Sequence, residues 1–168
     1  MCGIAGLIHR GKSSNVGEEL QNMLQALKHR GPDSTGYALY ANNDGQNFIL
    51  RFKVGENVGE GSTSVNEDES VYNERKKIVD KKLSELGAPI VKEEKLTPYS
   101  YRYEIKYDKD LMEFSKAVES IENVEILSIG KSLELIKDLG DANVVSERYG
   151  LNKVQGTHGI GHARMATE

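Results

Sequence analysis

The sequence predicts an α+β protein: sheet-and-helix layers interrupted by a smaller α/β unit with a sheet of its own. Three observations carry this. One-sided helical stripes and short apolar runs alternate near both ends of the chain. Residues 55–70 change character, with three glycines, acidic residues, Ser and Thr, and little that is apolar. Beyond them, helix, strand, strand, helix and strand follow one another as a set. The expected division is residues 1–58 for the first part of the main domain, 59–129 for the inserted unit and 130–168 for the return.

Ile4 to Ile8 is apolar at nearly every position and reads as a strand buried on both faces. His9–Ser14 is a polar turn. Leu20, Met23, Leu24 and Leu27 then recur at i, i+3, i+4 and i+7, which predicts a helix with one apolar face. Ser14 or Asn15 is its candidate cap, and Gly17 is tolerable in its first turn. Gly31-Pro32 stops that helix, and Asp33-Ser34-Thr35-Gly36 is turn chemistry, with side chains able to bond nearby backbone. Tyr37–Tyr40 and Phe48–Val54 read as two strands of a hairpin joined by Asn42-Asn43-Asp44-Gly45.

In the inserted unit, residues 72–86 suit a charged helix with Tyr72, Val79, Leu83 and Leu86 inward and Gly87 closing it. Ala88–Val91 begins a strand. Tyr99, Tyr101, Tyr103, Ile105 and Tyr107 alternate with Ser100, Arg102, Glu104 and Lys106, the pattern of a half-buried strand. Its tyrosine face is expected to pack under helices rather than to bind a ligand. Asp108 or Asp110 caps a helix with Leu111, Phe114, Val118 and Ile121 inward, and Val124–Ile129 is a strand. This order suggests a ferredoxin-like layer of helices on a sheet, without a clear first strand of its own. Leu133–Ile136 gives one more strand. Asp141 opens a helix over 142–149, which Gly150 ends. The chain finishes on a glycine-rich run carrying His158, His162, Arg164 and Thr167.

Composition narrows the function classes. Hydrophobic content of 38% and charged content of 29% over 168 residues describe an ordinary soluble chain. A net charge of −4 argues against a nucleic-acid partner, which needs clustered Lys and Arg. No apolar run approaches the roughly 20 residues of a membrane span, and the N-terminus lacks a signal-peptide pattern. The single cysteine excludes an intrachain disulfide. The expected location is the cytoplasm.

That cysteine, Cys2, follows the initiator methionine directly. A second residue this small allows Met1 to be trimmed, leaving one residue that carries both a thiol and a free α-amine. The amine, with a reference pKa of about 8, can take the thiol's proton at neutral pH. This is a nucleophile with its own base. Taken alone, the first six residues favour a plainer reading, Cys2 as a small apolar residue opening a buried strand.

Three stretches stand together: Met1-Cys2-Gly3-Ile4-Ala5-Gly6, His29-Arg30-Gly31-Pro32-Asp33-Ser34-Thr35-Gly36, and Gly159-Ile160-Gly161-His162-Ala163-Arg164-Met165-Ala166-Thr167. In order and wording they resemble the class II glutamine amidotransferases, the glutaminase domains of N-terminal-nucleophile (Ntn) type. The resemblance covers roughly the first 55 and last 35 residues, and the inserted unit is similar to the glutamate-synthase-related branch. It implies an Ntn-hydrolase sheet-and-helix fold, incomplete at the C-terminus, and glutamine as substrate. It implies that Cys2 attacks the side-chain amide, releases ammonia and forms a γ-glutamyl thioester that water resolves. On this resemblance Arg164 and Thr167 grip the glutamine α-carboxylate, Gly31 lies beside the nucleophile and Arg30 braces that loop; His162, read from the residues and not from the family, is expected to orient the backbone near Arg164 by a hydrogen bond. An arginine fork suits a carboxylate, and a glycine permits close approach.

His158 and His162 stand four apart, the helical spacing of a shared zinc. Gly159 and Gly161 disfavour a helix there, and in a strand the two lie roughly 13 Å apart. No metal and no cofactor are expected. Relatives of this type continue past the Arg-x-x-Thr segment to supply an Asn-Gly oxyanion pair and an aspartate for the substrate's amino group. The expectation is therefore a fragment, a piece of a split enzyme or an interrupted reading frame, feeding ammonia to a synthase domain or subunit. The competing expectations are a non-catalytic scaffold or regulatory subunit, and an Ntn amidohydrolase acting on another amide.

Overall fold

The computed structural model describes residues 2–31, 33–43, 45–55 and 68–165. Met1, Thr167, the 56–67 stretch of the polar linker and the boundary expected after residue 58 lie outside the described residues. In chain order the elements are β1 (Gly3–Ile8), α1 (Val16–Ala26), β2 (Ser34–Ala41), β3 (Phe48–Lys53), α2 (Glu69–Leu86) and β4 (Ile90–Thr97). They continue with β5 (Ser100–Ile105), α3 (Leu111–Glu119), β6 (Glu125–Gly130), β7 (Leu133–Leu139), α4 (Ala142–Tyr149) and β8 (Gly156–Arg164). The strands form two antiparallel four-stranded sheets, and the chain divides into two compact units. One comprises Met1–Asn43 with Ser132–Glu168, the other Asp44–Lys131.

In the first unit the strand order is β1-β8-β2-β7, so the last strand threads between the first two. Asn15 caps α1, its side-chain oxygen accepting from the Glu18 N–H at 3.3 Å. Val16, Leu20 and Leu24 are fully buried, whereas Met23 is exposed and Leu27 lies beyond the last helical turn. The buried stripe is therefore rotated from the expected one. Its centre is set by Gly17: a Cβ there would lie 1.7 Å from the Leu151 carbonyl oxygen. Gly17 is a close approach, not merely a tolerated residue.

Asp141 caps α4 by accepting from the Val144 N–H at 3.1 Å, and Gly150 ends it in the left-handed region at φ 64°. Gln21 joins the two helices, donating to Asn143 at 2.9 Å and accepting from Ser146 at 2.6 Å. Ser34–Gly36, expected as turn chemistry, opens β2 instead. Thr35 still serves the backbone, its hydroxyl donating to the Gly140 carbonyl at 2.8 Å. Tyr37 is fully buried and donates to the Ala142 carbonyl at 2.7 Å.

Both helices cover one face of this sheet, where Ala5, Thr35, Tyr37, Leu39, Ile136 and Ala163 are buried. The other face is open: Ile4 is 69% exposed, Ile8 72% and Ile160 53%. The expectation that Ile4–Ile8 is buried on both faces is thus corrected. β1 is an edge strand whose Ile4 and Ile8 side chains are exposed.

The second unit corrects the hairpin expected across Asn42–Gly45. β2 pairs with β7 and β8, while β3 pairs with β5 and β6, so the strands flanking that turn enter different sheets. The order β4-β5-β3-β6, in a β-α-β-β-α-β succession, makes β3 the first strand that the inserted set had lacked. Leu50, Phe52 and Val54 are fully buried among Tyr101, Tyr103, Val79, Leu83, Phe114 and Val118. The tyrosine face packs under the helices as expected. Phe52 stacks on Tyr101 and meets Tyr103 edge-on at 5.0 Å between centroids, and Tyr103 donates to Asp80 at 2.9 Å. Asp110, not Asp108, caps α3, and Gly87 closes α2 at φ 73°.

Candidate active site

The two inner strands of the first sheet fix what stands beside what. Gly3 lies opposite Ala163, Ile4 opposite His162, and Ser34 opposite Arg164. Carried back one residue, the alternation of β1 puts Cys2 in line with Arg164, on the open face that Ile4 occupies. One row across that face therefore runs Cys2, Arg164, Ser34. The next row runs Ile4, His162, Gly36. Cys2 is an exposed free thiol, and Arg164 is also exposed.

The segment after α1 brings the remaining predicted residues to the same end of the sheet. Lys28–Arg30 forms one 3-10 turn, with the Arg30 and Gly31 N–H groups donating to the Leu27 and Lys28 carbonyls at 2.8 and 3.1 Å. Gly31 is buried, and a Cβ on it would lie 2.4 Å from the Arg164 carbonyl carbon and 2.7 Å from the Arg164 and Met165 nitrogens. The Asp33 N–H donates to the Arg164 carbonyl at 3.2 Å. On its other side the turn packs on the start of β1: a Cβ on Gly3 would lie 3.2 Å from Leu27 Cβ and 3.4 Å from Arg30 Cβ. The second motif thus touches the first at Gly3 and the third at Arg164.

Lys28 anchors the turn to the helical layer, its ammonium 2.6 Å from Asp141. That ammonium holds the Asp141 carboxyl below the ordinary carboxylate range; partial burial opposes the shift, and the Val144 N–H reinforces it.

The histidines do different things. His162 makes no hydrogen bond to the backbone near Arg164 among the described residues; its Nδ1 instead lies 3.4 Å from where a Gly36 Cβ would stand. His158 stacks on Tyr40 with centroids 3.9 Å apart and shares a 2.8 Å hydrogen bond with the Thr157 hydroxyl. Both lie on strand β8, as the glycines between them required. Among the described residues no helix is long and apolar enough to cross a membrane. Thr167 lies outside the described residues, so the structure brings together Cys2, Gly31, Arg30, His162 and Arg164. Sequence reasoning had read Ser34 only as turn chemistry within the second motif; what marks it as a site residue is its register with Arg164.

An exposed thiol and a guanidinium side by side at one end of an open antiparallel sheet define a candidate nucleophile-and-carboxylate site. Comparison with known proteins places that site in context. Residues 1–50 match the family described as "Glutamine amidotransferase domain". The chain is 32% identical over 179 aligned positions to the protein named "Putative glutamine amidotransferase" of Methanothermobacter thermautotrophicus, covering 100% of this chain and 53% of that protein. It is 29% identical over 174 positions to "Glutamine amidotransferase-like protein GlxB" of Rhizobium meliloti, covering 100% of this chain and 51% of that protein. The chain spans about half the length of these curated relatives.

Proposed function

We propose that this chain carries the nucleophile-bearing part of a class II, Ntn-type glutamine amidotransferase. The observation supporting this most strongly is the meeting of three sequence-distant motifs at one end of one sheet, through Gly3, Gly31 and Arg164. The match of residues 1–50 and the names of the two relatives point the same way.

In this reading Met1 is removed and the α-amine of Cys2 takes the proton of its own thiol. The thiolate adds to the side-chain amide carbon of glutamine. As the C–N bond breaks, the amine-borne proton goes to the leaving nitrogen and ammonia departs. The γ-glutamyl thioester is then hydrolysed by a water that the freed amine deprotonates, giving glutamate and the thiol. Arg164 grips the α-carboxylate bidentately, Thr167 assists it, Gly31 keeps the ground beside the nucleophile bare, Arg30 braces the turn, and His162 supports β8. The ammonia passes to a glutamate-synthase-like domain or subunit in the cytoplasm. The second unit, with its β-α-β-β-α-β order, is a ferredoxin-like insertion, and the open face of the first sheet is where the Ntn layers continue.

The test is ammonia release from glutamine by the full-length protein, wild type and Cys2→Ala. Release that is abolished in the variant supports the reading. A folded wild type that releases none overturns it in favour of a scaffold or regulatory role, and a Cys2→Ala variant that still releases it overturns the assignment of Cys2 as the nucleophile.

A further inference from the structure

Ser34 is the third member of the row that holds Cys2 and Arg164, and no motif assigned it a role. It sits on β2 directly opposite Arg164, half-buried, on the same open face. Adjacent strands lie about 4.8 Å apart, so Cys2 and Ser34 stand roughly 10 Å apart with β8 between them. Glutamine provides a ruler for this gap. Four bonds of about 1.5 Å join its amide carbon to its α-carboxylate carbon, a span of roughly 5 Å when extended. Attack needs the amide carbon about 3–3.5 Å from the Cys2 sulfur. A glutamine laid across the strands from Cys2 therefore puts its carboxylate over the groove between β8 and β2. Arg164 borders that groove on one side and Ser34 on the other.

We propose that Ser34 is a second donor to the α-carboxylate of the substrate, selecting glutamine with that group free. This rests on the glutaminase reading above. The guanidinium fork occupies one edge of the carboxylate, and the Ser34 hydroxyl donates to the oxygen facing β2. A hydroxyl is the donor that fits there, because a longer cation on the neighbouring strand would repel Arg164 across the pair.

The experiment compares wild type, Ser34→Ala, Ser34→Thr and Arg164→Lys in the full-length protein. The readouts are glutamine kinetics and Cys2 alkylation by iodoacetamide, which has no carboxylate. Ser34→Ala is expected to raise KM for glutamine roughly tenfold with kcat nearly unchanged, the loss of one hydrogen bond to a charged group. Ser34→Thr is expected to restore KM, and alkylation rates are expected to match wild type throughout. An unchanged KM in Ser34→Ala, beside a raised KM in Arg164→Lys, overturns the role of Ser34 and leaves the glutaminase reading standing. Alkylation that slows as KM rises overturns it too, since Ser34 would then act through the placement of Cys2. A wild type without glutaminase activity overturns both.

Discussion

Replacing Gly31 by alanine is the sharpest perturbation the geometry offers. The added methyl would stand 2.4 Å from the Arg164 carbonyl carbon and 2.7 Å from two backbone nitrogens, where ordinary contact begins at 3.4 Å. These three nearest atoms are all main chain, so no side-chain rotation relieves the overlap. Either the end of β8 or the 3-10 turn must move by about 1 Å, and a displacement of that size at a reacting constellation costs on the order of 100-fold in rate. Overpacking itself costs about 1–3 kcal/mol of stability. The assay is labelling of Cys2 by an electrophilic glutamine analogue, read against iodoacetamide on the same folded sample. Gly31→Ala is expected to slow the glutamine-directed reaction about 100-fold while alkylation changes far less. Equal loss in both, or loss in neither, would refute the claim that Gly31 sets the spacing between Arg164 and the nucleophile.

The same structure sets further expectations. Gly17→Ala, whose Cβ meets the Leu151 carbonyl oxygen at 1.7 Å, should lower stability by about 1–3 kcal/mol in denaturant titration. It should leave Cys2 labelling per folded molecule unchanged. Arg164→Lys keeps the charge but loses the bidentate fork, so KM for glutamine should rise roughly 10- to 100-fold with little change in thermal midpoint. Asp141→Asn keeps a helix cap but removes the charge facing Lys28. The folded carboxyl titrates below its unfolded value of about 3.9, so its stabilisation is full above that pH and is lost as pH falls through the folded pKa. Wild type should therefore melt above Asp141→Asn at pH 7, and the difference should shrink below about pH 4.

Local rules made most elements legible and left pairing hidden. Asn15, Asp110, Asp141, Gly87 and Gly150 stop or start helices by chemistry confined to one turn, and each was readable, Asn15 and Asp110 as one of two candidate caps. The alternating tyrosines of β5 named their buried face correctly, because a half-buried strand writes its period into adjacent residues. β3 was misplaced because a hairpin signal at Asn42–Gly45 is local, while the true partners, β5 and β6, lie about 50 and 75 residues away. The strand itself was legible in spite of Arg51 and Lys53, both buried in a central strand where cations are uncommon.

The apolar run Ile4–Ile8 promised burial on both faces, yet it is an edge strand of a sheet covered on one side. The candidate site divides in the same way. Cys2, Gly31 and Arg164 stood out by motif, because thiol, bare backbone and guanidinium are chemically distinctive. Ser34 did not, because its significance is positional: only the β2–β8 register sets it beside Arg164.

The central claim is that Cys2, with a free α-amine, is the nucleophile toward glutamine. The direct measurement is intact-mass and peptide analysis of the full-length protein after reaction with an electrophilic glutamine analogue. The expected product is a chain lacking Met1 that gains one adduct, mapped to Cys2, with excess glutamine protecting against it. A folded protein that retains Met1, or one whose Cys2 stays unmodified under these conditions, contradicts it.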